Sequence, residues 1–125
     1  MNAVRRIKPD DIYIIEGWYE ARATMPPEPF DFPEVGFMVD DTAAIFVYQT
    51  DASFALVEGL ITNKEANSID RATAIDALYL EVISFCRSAQ YTKLLAITEH
   101  QSVINFLKDE DFSPLLHSVF IKELR

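Results

Sequence analysis

The sequence predicts an α+β domain, a mixed, mostly antiparallel sheet with helices on both faces. Three observations lead there. Between residues 36 and 62, three extended apolar segments are separated by the turn signals Asp40-Asp41 and Thr50-Asp51-Ala52-Ser53, the pattern of an antiparallel meander. From about residue 71 the apolar residues recur at steps of three and four, the period of an amphipathic helix. Finally, 125 residues of which half are apolar suffice for one domain, 1–125, with a single core.

Taken in order, Val4-Arg5-Arg6-Ile7 reads as a short strand. Asp10 or Asp11 supplies an N-cap for a helix through about Ala23, with Ile12, Ile15, Trp18 and Tyr19 near one face. Four prolines within Pro26-Pro27-Glu28-Pro29-Phe30-Asp31-Phe32-Pro33 forbid helix and most ladder pairing, so this stretch is a loop. Gly36–Val39, Ala43–Gln49 and Phe54–Thr62 are the strands of the meander, rich in Ile, Val, Phe and Tyr. A helix over Arg71–Ala89 follows, its stripe made by Ile75, Leu78, Tyr79, Val82, Ile83 and Cys86. Leu94–Thr98 reads as a buried strand, Ser102–Lys108 as a short helix and Leu115–Leu124 as a closing strand. The order is β-α-loop-β-β-β-α-β-α-β.

Eleven basic against twenty acidic residues give a net charge of −9, a field that repels nucleic-acid backbones and anionic lipid surfaces. The imbalance is concentrated in residues 1–62, which carry four basic and eleven acidic side chains, so a partner or acceptor meeting that half is expected to be basic or to carry an amine. Cys86 is the only cysteine and its neighbours Ile83 and Phe85 mark it as a buried thiol; it leaves no disulfide framework and no cysteine metal cluster. MNAVRRIKPDD is followed by no apolar segment, unlike a secretory signal, and no run approaches the ~18 apolar residues of a membrane span. These features lead one to expect a cytoplasmic protein, monomer or homodimer.

The element order, with a long helix after the third meander strand and a short helix ending at Asp111-Phe112, resembles the GCN5-related N-acetyltransferase (GNAT) superfamily. At motif level, Phe54-Ala55-Leu56-Val57-Glu58-Gly59-Leu60-Ile61-Thr62-Asn63 and Leu94–Phe112 are similar to short GNAT-like proteins of bacteriophages. The resemblance implies acetyl-CoA as cofactor. Leu60, Ile61 and Thr62 would splay from the next parallel strand and offer backbone groups to the pantetheine arm, and the turn Arg71-Ala72-Thr73-Ala74-Ile75 would present helix N-terminal N–H groups to the pyrophosphate. The family usually carries glycines two apart at that turn, where this chain has Ala72 and Ala74, with Asp70 beside them. The bland alternative is that Asp70 caps the helix and Arg71 is solvated.

For transfer to an amine, the resemblance makes Glu58 the candidate base, its pKa raised if the strand buries it; the competing reading is a carboxylate pointing at solvent. Leu107 falls where the family often has a tyrosine general acid, and leucine cannot donate a proton. His100, beside Glu99 at a strand end, would replace that acid or merely cap the next helix, while His117 has no suggestive neighbour. Trp18, Glu28, Phe30 and Asp31, with Tyr19, Phe32 and Phe37 around the proline loop, would receive the acceptor amine by cation–π and charge contacts, or else simply anchor the core.

Two functions from different classes therefore compete. One is an acetyl-CoA-dependent N-acetyltransferase acting on a small amine or a protein lysine. The other is a catalytically silent GNAT fold, used by a phage as an interaction or virion-associated module. The missing glycines, Leu107 and the acidic surface favour the second.

Overall fold

A computed structural model describes residues 3–24, 32–98, 101–115, 122 and 124. Strand β1 (Val4–Arg6) leads through a 3-10 turn, Pro9–Asp11, into helix α1 (Ile12–Ala21). The meander continues as β2 (Val35–Val39), β3 (Ala43–Tyr48) and β4 (Phe54–Thr62). Helix α2 (Ser68–Ser88), strand β5 (Lys93–Ala96) and helix α3 (Gln101–Asp109) complete the described elements. The sheet order is β1-β2-β3-β4-β5, with only the β4/β5 pair parallel among the described residues.

The sheet is covered on both faces, which is why β2 and β3 are apolar almost throughout instead of alternating. On one face Phe37, Ile45, Val47, Ala55 and Val57 pack against Leu78, Tyr79, Val82 and Cys86 of α2 and Val103 and Leu107 of α3. On the other, Met38, Ala44 and Phe46 pack against Ile15, Trp18 and Tyr19 of α1. Phe46 is fully buried there, so Phe46→Ala would cost about 3–5 kcal/mol through lost transfer energy and the cavity left behind.

Along β4 the strict alternation breaks once. Phe46 pairs with Glu58 and Ala44 with Ile61, so Ile45 stands opposite two residues, Gly59 and Leu60. This bulge places Gly59 at φ +78°, a conformation glycine reaches without strain. It also reverses the facing of the rest of the strand, sending Ile61 into the α1 cluster although Ala55 and Val57 face α2.

With only three glycines in the chain, none is available to end a helix. Each helix closes with a left-handed residue of another kind: Ala23 (φ 54°), Gln90 (φ 68°) and Asp111 (φ 66°). The bond pattern is the same in all three. The Thr24, Tyr91 and Phe112 N–H groups donate back to the Tyr19, Cys86 and Leu107 carbonyls, and the left-handed residues donate to Glu20, Arg87 and Lys108.

Several boundaries differ from the sequence expectation. The second helix begins at Ser68, three residues before Arg71, because Asn67 and not Asp70 is its N-cap. Asp11 stands at the N-cap position of α1 as expected, but its side chain makes no capping bond to that helix; its carboxylate accepts from the Lys8 N–H and from Arg5 instead. The β5 strand stops at Ala96 and its residues are only partly buried, since among the described residues it has no neighbour on its outer side. The expected closing strand over 115–124 lies largely outside the described residues.

Candidate functional site

Strands β4 and β5 are paired from Phe54↔Lys93 to Val57↔Ala96, and the Ile97 N–H donates to the Val57 carbonyl (3.3 Å); β5 ends at Ala96 while β4 runs on to Thr62. Leu60, Ile61 and Thr62 lie past the bulge, in the part of β4 that pairs with β3, Ile61 with Ala44 and Thr62 with Ala43. Helix α1 reaches this same segment. The Tyr19 hydroxyl donates to the Gly59 carbonyl (2.9 Å), and Arg22 donates from Nε to the Thr62 carbonyl (2.9 Å) and from Nη2 to Thr62 Oγ1 (2.6 Å). One expected backbone acceptor, the Thr62 carbonyl, is thus already held by Arg22.

Glu58 sits one residue before the bulge on the α1 side of the sheet and is exposed. The buried carboxylate expected from its flanks, Val57 and Gly59, is not what the fold builds, because alternation turns position 58 away from the α2 core. Its charge is felt next door: burial pushes the Tyr19 hydroxyl up to about 12, with Tyr48 and Glu58 adding to the shift.

The aromatic acceptor cluster is divided by the sheet. Trp18 is 8% exposed and packs in the α1 core, since it shares the apolar stripe with Ile15 and Tyr19. Phe32 stacks on Phe46 at 4.9 Å on that face. Phe37 lies on the opposite face against Phe85, with the Arg6 guanidinium 5.7 Å from its ring. Glu28, Phe30 and Asp31, like Glu99, His100 and His117, lie outside the described residues.

At the start of α2 the expected phosphate turn is ordinary helix. Arg71 donates its N–H to the Asn67 carbonyl, Thr73 Oγ1 donates to the Ile69 carbonyl, Ala72 is exposed, and Ala74 is fully buried against the core. The helix terminus proper is closed by its own side chains. Asn67 Oδ1 accepts from the Asp70 N–H (2.8 Å) while Asn67 Nδ2 donates to Asp70 Oδ2 (2.9 Å). Beside it lies a hollow of about 420 Å³ lined by Asp40, Asp41, Thr42, Asn63, Glu65 and Asp70 among others. A diphosphate there would meet four carboxylates, so the residues present do not fit the phosphate end of acetyl-CoA.

Leu107 is buried in the α2 and α3 core, where it fills space and has no proton to give. A larger groove, about 690 Å³, lies at the start of β5 between Arg87, Tyr91, Leu94 and Phe112, away from the C-terminal end of β4. Cys86 is buried and desolvation pushes its thiol up, which removes thiolate character. Among the described residues no group of three or more His, Cys, Asp or Glu could hold a metal ion, and no helix is long and apolar enough to cross a membrane.

Sequence reasoning placed Tyr19 with the acceptor aromatics but missed its bond to Gly59, and it missed Arg22 and Asn67 altogether as residues that shape this end of the molecule. Asn67 had a signal, an Asn three residues before an acidic residue, the arrangement of a capping box. Tyr19 and Arg22 had none, because their partners are forty residues away.

No protein-family model and no curated protein matches the sequence. Solved structures do. TTHA1254 from Thermus thermophilus is 14% identical, with 98% of each chain covered and a TM-score of 0.71. A GNAT-family acetyltransferase, SP0256, from Streptococcus pneumoniae TIGR4 is 16% identical, covering 99% of this chain and 100% of its own, with a TM-score of 0.67. Glucosamine-6-phosphate N-acetyltransferase from Arabidopsis thaliana is 9% identical, covering 97% and 96%, with a TM-score of 0.62. At such identities the likeness shows the fold alone, and that fold is the GNAT fold.

Proposed function

We propose that this chain is a GNAT-fold binding module that recognises a basic partner and does not transfer acetyl groups. The observation that carries this reading is the acidic end of the molecule, where Asp40, Asp41, Glu65 and Asp70 line one hollow. Arg5 offsets part of it by pairing with Asp40 as well as Asp11, while Arg22 and Lys64 are directed to the carbonyls of Thr62 and Ala21. Leu107, which has no proton to give, lies in the core, and Glu58 lies in solvent, and both support the same reading. The partner is a protein segment rich in Lys and Arg, contacting the acidic half of the chain. A virion-associated role in a bacteriophage rests on the resemblance of 54–63 and 94–112 alone.

A second reading, an N-acetyltransferase acting on such an amine, is favoured by one observation, the stretch of β4 that runs on past its last β5 pair at Val57, with its bulge at Gly59. Acetyl-CoA is the usual cofactor implied by the acetyltransferase neighbours. One experiment separates the two. A fluorescent oligolysine peptide is titrated with the protein at ~0.1 M and ~1 M salt, where the Debye length falls from ~10 to ~3 Å, and the same peptide is offered with acetyl-CoA while thiol release is followed. Salt-sensitive binding without thiol release is expected. Thiol release above the no-enzyme rate, or binding indifferent to salt, overturns the reading.

A further inference from the structure

We infer that the N-terminus of α2 is closed to the diphosphate of coenzyme A by a resident anion, the Asp70 carboxylate, locked there by Asn67. This deepens the proposed function and rests on its reading of the fold as non-catalytic. A helix N-terminus attracts a phosphate because its first N–H groups lack partners and the dipole is positive there. Both attractions are partly used in this chain. Of the first N–H groups, that of Asp70 is held by Asn67 Oδ1, and the Arg71 N–H makes the first regular helical bond, to the Asn67 carbonyl. The dipole faces Asp70 in the first turn, whose Oδ2 accepts from Asn67 Nδ2 at 2.9 Å, so the side chain that caps the helix also fixes the charge that satisfies it.

Three further features act in the same direction. Starting the helix at Ser68 places Arg71–Ala74 in regular turns, where their N–H groups bond along the helix and cannot fan toward a ligand. Ala74 is fully buried, so the backbone there cannot be approached from solvent as a glycine turn can. Asp40, Asp41 and Glu65 line the hollow beside that terminus, adding like charge to that of Asp70.

The test compares the full chain with Asn67→Ala/Asp70→Asn, which frees one N–H and removes the resident charge. Glu81→Gln, the same charge change about three turns along α2, serves as control. Thermal melting is followed with millimolar coenzyme A and, separately, with ADP. The wild-type and Glu81→Gln proteins should be unmoved by either. The double variant should gain affinity by about fivefold or more and melt about 2 °C higher with coenzyme A. If losing the cap unfolds that variant, Asp70→Asn alone keeps Asn67 and should shift in the same sense. A wild-type melting point that rises with coenzyme A overturns the inference, as does a folded Asp70 variant that gains nothing. The partner reading is judged on the oligolysine titration instead, so the two fail separately.

Discussion

Tyr19 donates its hydroxyl to the carbonyl of Gly59 at 2.9 Å, joining α1 to the one irregular point of the central strand. The bond exists because the bulge rotates the Gly59 carbonyl out of the ladder toward α1, and Tyr19 is buried enough to exclude a competing water. Tyr19→Phe keeps the packing but leaves a carbonyl without its partner, so chemical denaturation should show a loss of about 1–2 kcal/mol.

Gly59→Ala should be worse than a surface alanine. A Cβ there would stand 3.3 Å from Phe46 Cδ2 and from the Tyr19 hydroxyl, on a backbone at φ +78°. A loss of about 1–3 kcal/mol is expected, together with disturbed Tyr19 fluorescence or ring NMR signals, because strain and contact fall on the same atom pair.

Acid should weaken the fold through Asp11. Its carboxylate accepts from Arg5 Nη1 at 2.8 Å, from Nη2 at 2.9 Å and from the Lys8 N–H at 2.7 Å, and these bonds, the Arg5 pair first, hold its pKa down near 2. A depressed carboxylate stabilises the native state above its unfolded value of 3.8, and the contribution is lost as pH falls from there toward 2. Allowing for the part-exposed Arg5, the contribution is of the order of 1 kcal/mol. In Asp11→Asn the stability difference between pH 5 and pH 2.5 should shrink by about that amount, measured by denaturant midpoints.

Base should reveal Tyr19 and Tyr79 as the late tyrosines. Burial pushes both up to about 12 from the usual 10. Since the folded state favours their protonated form, the stability they carry is complete below pH 10 and is lost between 10 and 12. A phenolate absorbance titration should therefore show two tyrosines ionising late, near pH 12.

Glycine at the helix ends should stabilise. Gln90→Gly and Asp111→Gly place at φ 68° and φ 66° the residue that accepts those angles without steric cost. The left-handed penalty of about 1 kcal/mol is offset in part by the greater unfolded-state freedom of glycine, so a net gain of about 0.5–1 kcal/mol each is expected from thermal melts.

The fold was largely legible in the sequence. Alternation and turn chemistry are local, so Asp40-Asp41 and Thr50–Ser53 divided the meander correctly, and β4 matches Phe54–Thr62 end to end. The α2 stripe was equally plain, since Leu78, Tyr79, Val82 and Cys86 meet the sheet whatever the exact helix start. The start itself was misplaced because Asp70 and Asn67 are both good caps, and only the bonds formed at the terminus distinguish them.

What the sequence determined by itself was the set of elements, the two-sided burial of the sheet and the negative charge, all of which depend on residue type and on spacing along the chain. What only the tertiary structure decided was how the functional end is assembled. Glu58 could face the α2 core or solvent, and its pairing with Phe46, on the face opposite Val57, placed it outside. Trp18 could line a cleft or fill a core, and packing beside Ile15 filled the core. Asp40, Asp41, Glu65 and Asp70 lie in three separate stretches of chain, and only the juxtaposition of the β2/β3 turn with the α2 terminus makes one acidic hollow of them. Coulomb interaction depends on distance through space, and for such residues that distance is set by the fold and not by their order in the chain.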